Sequence, residues 1–284
     1  MPSAAAAGGV LLKCIRELRM GTIRHTHYRI RSSKGADENP GRVKIAVLAD
    51  LHNRVYHSDV PTLLKEIRRE RCDAVLSAGD LVLMKAGHYE TDQALKLVSA
   101  LAETLPVYVA DGNHETRMKR LYQKEYRRYE RALEEAGVIR LHNETANVVL
   151  GGRKMAVTGL EVDYRCFRNK FHVGLSVDDI RNLVGEADQD RFQILLAHHP
   201  KYFAAYAGWG SDLTLSGHLH GGIMRLPRIG GVISPDPELF PRYDYGLYKE
   251  TDSRMIVSAG LGTHTINLRI NNPAELVIVE ITNQ

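Results

Sequence analysis

The chain has 284 residues, 44% of them hydrophobic and 25% charged, and carries a formal net charge of +4 at neutral pH. That length can bury one substantial core, and the mildly basic balance suits an anionic substrate without calling for nucleic acid. Three widely spaced cysteines, Cys14, Cys72 and Cys166, argue against a disulfide framework and a thiolate zinc site.

In chain order, Val10, Leu11, Leu12, Ile15 and Leu18 are interleaved with Lys13, Arg16, Glu17 and Arg19, a pattern for a basic amphipathic helix. It is too short and interrupted for a signal peptide, and nothing in the chain approaches the roughly 18 apolar residues of a membrane span. The expected location is cytoplasmic, with the N-terminal segment either docked on the protein body or in peripheral contact with a membrane surface. We expect residues 1–40 as an amphipathic or extended segment and 41–284 as one catalytic domain.

Val43 to Ala49 is a continuous apolar run that ends at Asp50, as in a strand buried on both faces. Leu63, Leu64 and Ile67 give helical spacing from Thr62 to Arg71, and Ala74 to Ala78 reads as the next strand, ending at Gly79-Asp80. A helix-like stretch from Asp92 to Thr104 then leads to the strand-like Val107 to Ala110 and to Gly112-Asn113-His114-Glu115. Three such units in succession favour parallel pairing with right-handed crossovers, and sites in such sheets form outside the carboxyl ends of the strands.

Tyr122, Tyr126, Tyr129 and Leu133 share one helical face, a packing stripe rather than a base-stacking platform. The second half holds short β-prone runs at Val138–Leu141, Ala146–Leu150, Lys154–Thr158, Phe192–Ala197, Leu213–Ser216, Met255–Ser258 and Leu276–Ile281, while Gly221 to Tyr248 reads as long loops. A second sheet facing the first, with helices outside both, makes an α/β chain folded as a four-layer α/β/β/α sandwich of two mixed sheets.

The residues at the strand ends form a ligand inventory. Asp50 and His52 can offer a carboxylate oxygen and an imidazole nitrogen to one ion, and Asp80 can bridge two ions through its two oxygens. Asn113 adds a neutral amide oxygen; His198 and His218 can complete one ion's shell, with His220 serving the other. An N/O set without thiolate suits two divalent metals, manganese first, with iron or zinc as alternatives. Two metals about 3.5–4 Å apart can bind a phosphoryl group, lower the pKa of a shared water and align it for in-line attack. His114 is then the group that protonates the leaving oxygen or stabilises its charge, and Glu115 can orient or support that imidazole.

Asp50-x-His52, Gly79-Asp80, Gly112-Asn113-His114-Glu115, His198 and Gly217-His218-x-His220 resemble the full signature of the calcineurin-like metallophosphoesterases. His220-Gly221-Gly222, Arg225-Leu226-Pro227, Gly246-Leu247-Tyr248, Gly260-Leu261-Gly262-Thr263 and Asn272-Pro273-Ala274-Glu275 resemble the bacterial, membrane-associated branch of those enzymes. The resemblance implies Asp50, His52, Asp80 and His220 on one metal and Asp80, Asn113, His198 and His218 on the other. It also favours His198 over its neighbour His199, because the family pattern places the ligand two residues before the proline.

Arg165 and Arg168, with Lys170, are candidates to contact a second phosphate or head group of the substrate. Arg54 and His57 either line the pocket or are ordinary loop residues, and Gly260-x-Gly262 with Thr263 either turns the chain or approaches phosphate. The expected function is hydrolysis of phosphodiester or pyrophosphate bonds in a small, nucleotide-linked or lipid-linked substrate. A phosphomonoesterase, including a protein phosphatase, and a non-catalytic scaffold on the same fold are the alternatives.

Overall fold

The computed structural model describes residues 23–38, 40–54, 59–85, 87–167, 173–222, 224–226, 230–231, 240–263 and 269–283. The expected N-terminal amphipathic helix, His57, Arg168 and Lys170 lie outside these residues.

In chain order the elements are β1 (Arg24–Arg31), β2 (Val43–Leu48), α1 (Val60–Glu70), β3 (Ala74–Ser77), β4 (Leu83–Lys85), β5 (His88–Glu90) and α2 (Asp92–Ala102). They continue with β6 (Val107–Val109), α3 (Asn113–Leu121), α4 (Gln123–Glu135), β7 (Ile139–Arg140), β8 (Glu144–Leu150), β9 (Arg153–Leu160), α5 (Val177–Val184) and β10 (Phe192–Ala197). The last are α6 (Phe203–Trp209), β11 (Leu213–Ser216), β12 (Arg225–Leu226), β13 (Gly230–Gly231), β14 (Gly246–Glu250), β15 (Ser253–Val257) and β16 (Glu275–Thr282).

One sheet runs in the order β1-β16-β2-β3-β6-β7, the other β14-β15-β11-β10-β9-β8. In the first, β2, β3, β6 and β7 are mutually parallel and β16 enters antiparallel beside β2. In the second, β9, β10, β11 and β15 are parallel, with β8 and β14 as antiparallel edges.

The period-2 alternation of the strands sorts the core into layers. Ile45 and Val47 point between the sheets to meet Ile194, Leu196 and Leu215. Ala46 and Leu48 point outward, into a cluster with Leu63 and Ile67 of α1, Leu97 and Leu101 of α2 and Tyr126 and Leu133 of α4. On the opposite outer face, Leu195 and Ala197 pack with Ile180 of α5 and Phe203, Tyr206 and Trp209 of α6. The expected four-layer sandwich is therefore present, and the Tyr126, Tyr129, Leu133 stripe is core packing.

The departures have physical causes. β1 carries mostly polar residues because it is an edge strand: only Tyr28 and Ile30 join the inter-sheet core, while His25, His27, Arg29 and Arg31 alternate onto the other face. It lies within the stretch expected to be amphipathic or extended, and it is hydrogen-bonded along β16 from Arg24 to Arg31. α5 and α6 are too short, at eight and seven residues, to stand out in a coarse pass along the chain; α5 is marked by a capping box in which Ser176 and Asp179 satisfy each other's backbone N–H. Part of the expected Gly221–Tyr248 loop region is strand, since β14 pairs with β15 from Gly246 to Glu250. Among the described residues no helix is long and apolar enough to cross a membrane, and Cys72 and Cys166 are free, buried thiols.

Candidate metal centre

The polar signatures follow β2, β3, β6, β10 and β11 at their carboxyl ends, and the backbone ties these turns together. The N–H groups of Asp50 and His52 donate to the carbonyls of Gly79 (3.1 Å) and Asp80 (2.9 Å), and that of Gly217 to His198 (3.0 Å). Asp50, His52, Asp80, His218 and His220 all adopt left-handed backbone conformations, with φ between 49° and 70°. Each costs a non-glycine residue roughly 1–2 kcal/mol, and their concentration in one set of turns marks a strained, functional rim. Two glycines permit the close approach: a Cβ at Gly112 would lie 2.3 Å from Asp80 Oδ1, and one at Gly217 would lie 2.4 Å from Asp50 Oδ2.

The ligand atoms converge from both sheets. Asp50, His52 and His220 offer atoms all within 4.8 Å of one another, and so do Asp80, His198 and His218. His52 Nε2 is 2.8 Å from His220 Nε2, and His220 Nε2 is 3.6 Å from Asp50 Oδ1. Asp80 Oδ2 sits between the groups, 3.1 Å from His198 Nε2, 4.0 Å from His52 Nε2 and 3.9 Å from His114 Nε2. Asn113 Oδ1 lies 2.7 Å from His218 Nδ1.

Backbone groups of the scaffold anchor several of these side chains. Asp50 Oδ1 accepts the His218 N–H at 2.9 Å and Asp80 Oδ1 accepts that of His114 at 2.8 Å. His198 Nδ1 donates to the Ala78 carbonyl at 2.8 Å, which turns the Nε2 lone pair inward. Asp50 Oδ2 is buried without a hydrogen-bond partner, and His198 Nε2 faces the carboxylate oxygens Asp80 Oδ2 and Asp50 Oδ1 at 3.1 and 3.7 Å. Buried acceptors that converge without donors fit divalent cations, and the oxygen and imidazole donor set fits hard or borderline ions.

His199 is turned elsewhere. Its ring stacks on Phe167, with centroids 5.8 Å apart, and its Nδ1 accepts the Lys201 N–H, so His198 rather than His199 meets the carboxylates.

Electrostatics reflect this crowding. Burial pushes the Asp50 carboxyl up to about 6, against the pull of the His198 imidazole. Burial acts the same way on Asp80, but His198 and His114 outweigh it and hold that carboxyl well below its ordinary range. The two carboxylates, Asp80 before Asp50, raise His198 to about 9 despite burial. Burial lowers His114 from its ordinary value, and Asp80 opposes that shift.

Glu115 does not contact the His114 imidazole in the manner expected. Its carboxylate accepts the backbone N–H groups of Gly112 (2.9 Å), Asp80 (3.0 Å) and Val82 (2.9 Å) and so joins two ligand turns. The His114 ring is positioned instead by the Met84 N–H, which donates to Nδ1 at 2.8 Å. A backbone amide as neighbour leaves no sequence signature, whereas a glutamate next to a histidine invites a pairing that the helix geometry does not make.

Arg165 is exposed and forms an ion pair with Asp163 at 2.9 Å; its described partners do not include the ligand residues. Arg54 is exposed. The Gly260–Gly262 loop backs the first ligand turn, with the Gly262 N–H donating to Asp50 O at 2.7 Å.

Three buried polar residues received no role from sequence reasoning. Arg269 donates to the Ala259, Gly260 and Gly262 carbonyls. Asn272 Nδ2 donates to the His220 and Gly222 carbonyls at 2.6 and 2.7 Å, and Glu275 accepts the Ala259 N–H at 2.9 Å. The Asn272 and Glu275 positions lie in a stretch already singled out by resemblance; Arg269 had no signal, because its partners are backbone carbonyls, which leave no mark on the sequence.

A family model described as calcineurin-like phosphoesterase matches residues 43–222. Metallophosphoesterase YkoQ of Bacillus subtilis (strain 168) is 24% identical over 86% of this chain and 86% of its own length. Phosphodiesterase YaeI of Escherichia coli (strain K12) is 26% identical over 86% and 84%, respectively. Metallophosphoesterase F40B5.2 of Caenorhabditis elegans is 27% identical over 91% of this chain, which spans 53% of that longer protein.

Proposed function

The chain belongs to the calcineurin-like phosphoesterases, metal-dependent hydrolases of phosphoric esters, and on that premise we propose that it cleaves phosphodiester or pyrophosphate bonds at a dinuclear centre. The observation that carries this reading is the position of Asp80 between two ligand groups, Asp50-His52-His220 and His198-His218. In this reading Asp50, His52, Asp80 and His220 hold one ion, and Asp80, Asn113, His198 and His218 hold the other. Manganese is the favoured metal, with iron and zinc as alternatives.

Two such ions, when bound, supply Lewis acidity to a phosphoryl group and to the water that attacks it. The protein's own contribution begins with geometry: the left-handed turns and the Glu115 brace fix the donors before substrate arrives, so little reorganisation is needed. His114 stabilises the charge that develops on the departing oxygen. Because Met84 N–H occupies its Nδ1, the neutral ring carries its proton on Nε2, the atom on the Asp80 side. There it donates a hydrogen bond to the oxygen that leaves.

The name of YaeI supports the diester preference, and a nucleotide-linked or lipid-linked substrate is consistent with the mildly basic chain. The reading includes no nucleic-acid partner and keeps both alternatives for the N-terminal stretch, docked on the protein body or in peripheral contact with a membrane. The test compares manganese-dependent turnover of bis-p-nitrophenyl phosphate and p-nitrophenyl phosphate by the purified chain and two variants. We expect faster diester cleavage, about 10²–10⁴-fold lower turnover in His114→Ala with metal content retained, and loss of bound metal in Asp80→Ala. Faster monoester cleavage would select the phosphomonoesterase reading, and full activity in Asp80→Ala would end the dinuclear one.

A further inference from the structure

The outer face of β1 presents imidazoles where the neighbouring strands present aliphatic side chains. His25 and His27 are two residues apart, in register with Leu276 and Ile278 of β16, whose side chains pack on the helix side of the first sheet. They therefore face α1, where Glu66 and Glu70 are one turn apart. Glu70 Oε1 lies 2.7 Å from His25 Nδ1 and 3.6 Å from His27 Nε2, and these three ligand atoms are all within 4.8 Å of one another.

We propose that His25, His27 and Glu70 form a further divalent-cation site, separate from the phosphoesterase centre, that takes zinc or a zinc-like ion and clamps the edge strand β1 to α1. Two imidazoles and one carboxylate with an open fourth position for water are a sufficient set for such an ion. A tetrahedral ion with bonds of about 2.0–2.2 Å sets its ligand atoms roughly 3.3–3.6 Å apart. The His27–Glu70 separation already matches, and the His25–Glu70 contact opens to it by a small side-chain rotation.

The surroundings are those that orient metal ligands. His25 Nε2 faces Glu66 Oε2 at 3.1 Å, so its second ring N–H has a carboxylate acceptor while Nδ1 ligates. Lys44 Nζ holds the other Glu70 oxygen at 2.6 Å. Burial raises the Glu70 carboxyl, but Lys44 and His25 outweigh it and keep the group ionised. The side chains of His25 and His27 are 22% and 47% exposed, so an ion can reach them from solvent.

The test is calorimetric titration of the full-length, as-purified chain with zinc, beside His27→Ala and His25→Ala, with cobalt as a spectroscopic probe. His27 is at the surface, so its variant keeps the fold. The wild type is expected to bind one more equivalent than either variant at micromolar free zinc and to show cobalt absorption of a four-coordinate site that both variants lose, while manganese-dependent hydrolysis stays unchanged in His27→Ala. Equal stoichiometry in wild type and His27→Ala, or an extra equivalent that saturates only at millimolar zinc, overturns the proposal. Neither result depends on whether the chain hydrolyses diesters.

Discussion

A carboxyl group in a crowded interior reports its surroundings through its proton. Glu161, at the end of β9, contacts Lys119 and His142, and burial followed by the nearby Asp111 charge pushes its pKa from the ordinary 4.5 up to about 7. Between those two values the folded chain binds this proton more tightly than the unfolded chain. Its contribution is therefore fully present below about pH 4.5 and is lost as the pH rises towards 7. Glu161→Gln removes the titration. The variant should gain stability relative to wild type between pH 5 and pH 8, by up to on the order of 3 kcal/mol, as read by urea denaturation at both pH values. An unchanged difference between the two pH values would show that Glu161 titrates normally.

At the scale of elements, the strand-to-loop junction does most to define the site. β2, β3, β6, β10 and β11 each end in a turn that carries a proposed ligand, and Gly112 and Gly217 let those turns close upon Asp80 and Asp50. Gly217→Ala should therefore push the Asp50 carboxylate aside while the hydrophobic layers remain intact. We expect metal affinity to fall by about 10–100-fold with near-native thermal stability of the metal-free protein, measured by manganese titration and by thermal melting in chelator. The apolar runs that build these strands were legible because burial on both faces demands them. β1 was not, since an edge strand needs apolar residues only at the alternate positions that meet the core, here Tyr28 and Ile30.

For the molecule as a whole, the proposed ligand set is also a tie between layers. Asp50, His52, Asp80 and Asn113 come from the first sheet's loops, and His198, His218 and His220 from the second's. Ions bound only by the folded chain stabilise it by mass action, about 2.7 kcal/mol at a hundredfold excess over Kd. Chelation should accordingly lower the melting temperature, with recovery on adding manganese. An Asp80→Ala chain should show no such response at the centre.

The order of the motifs and the alternation of buried runs, both one-dimensional properties, determined the layered fold, the family and the residues that gather at the rim. Tertiary structure alone decided which partner each of those residues takes. Glu115 bridges backbone amides of two turns, Met84 sets the His114 tautomer, Arg269 gathers the carbonyls of the Ala259–Gly262 loop, and Asn272 braces His220 and Gly222, which are far away in sequence. The reason is physical: hydrophobic periodicity is a local average that survives in a string, whereas a buried hydrogen bond depends on ångström-scale positions of two chain segments that meet only after the sheets have closed.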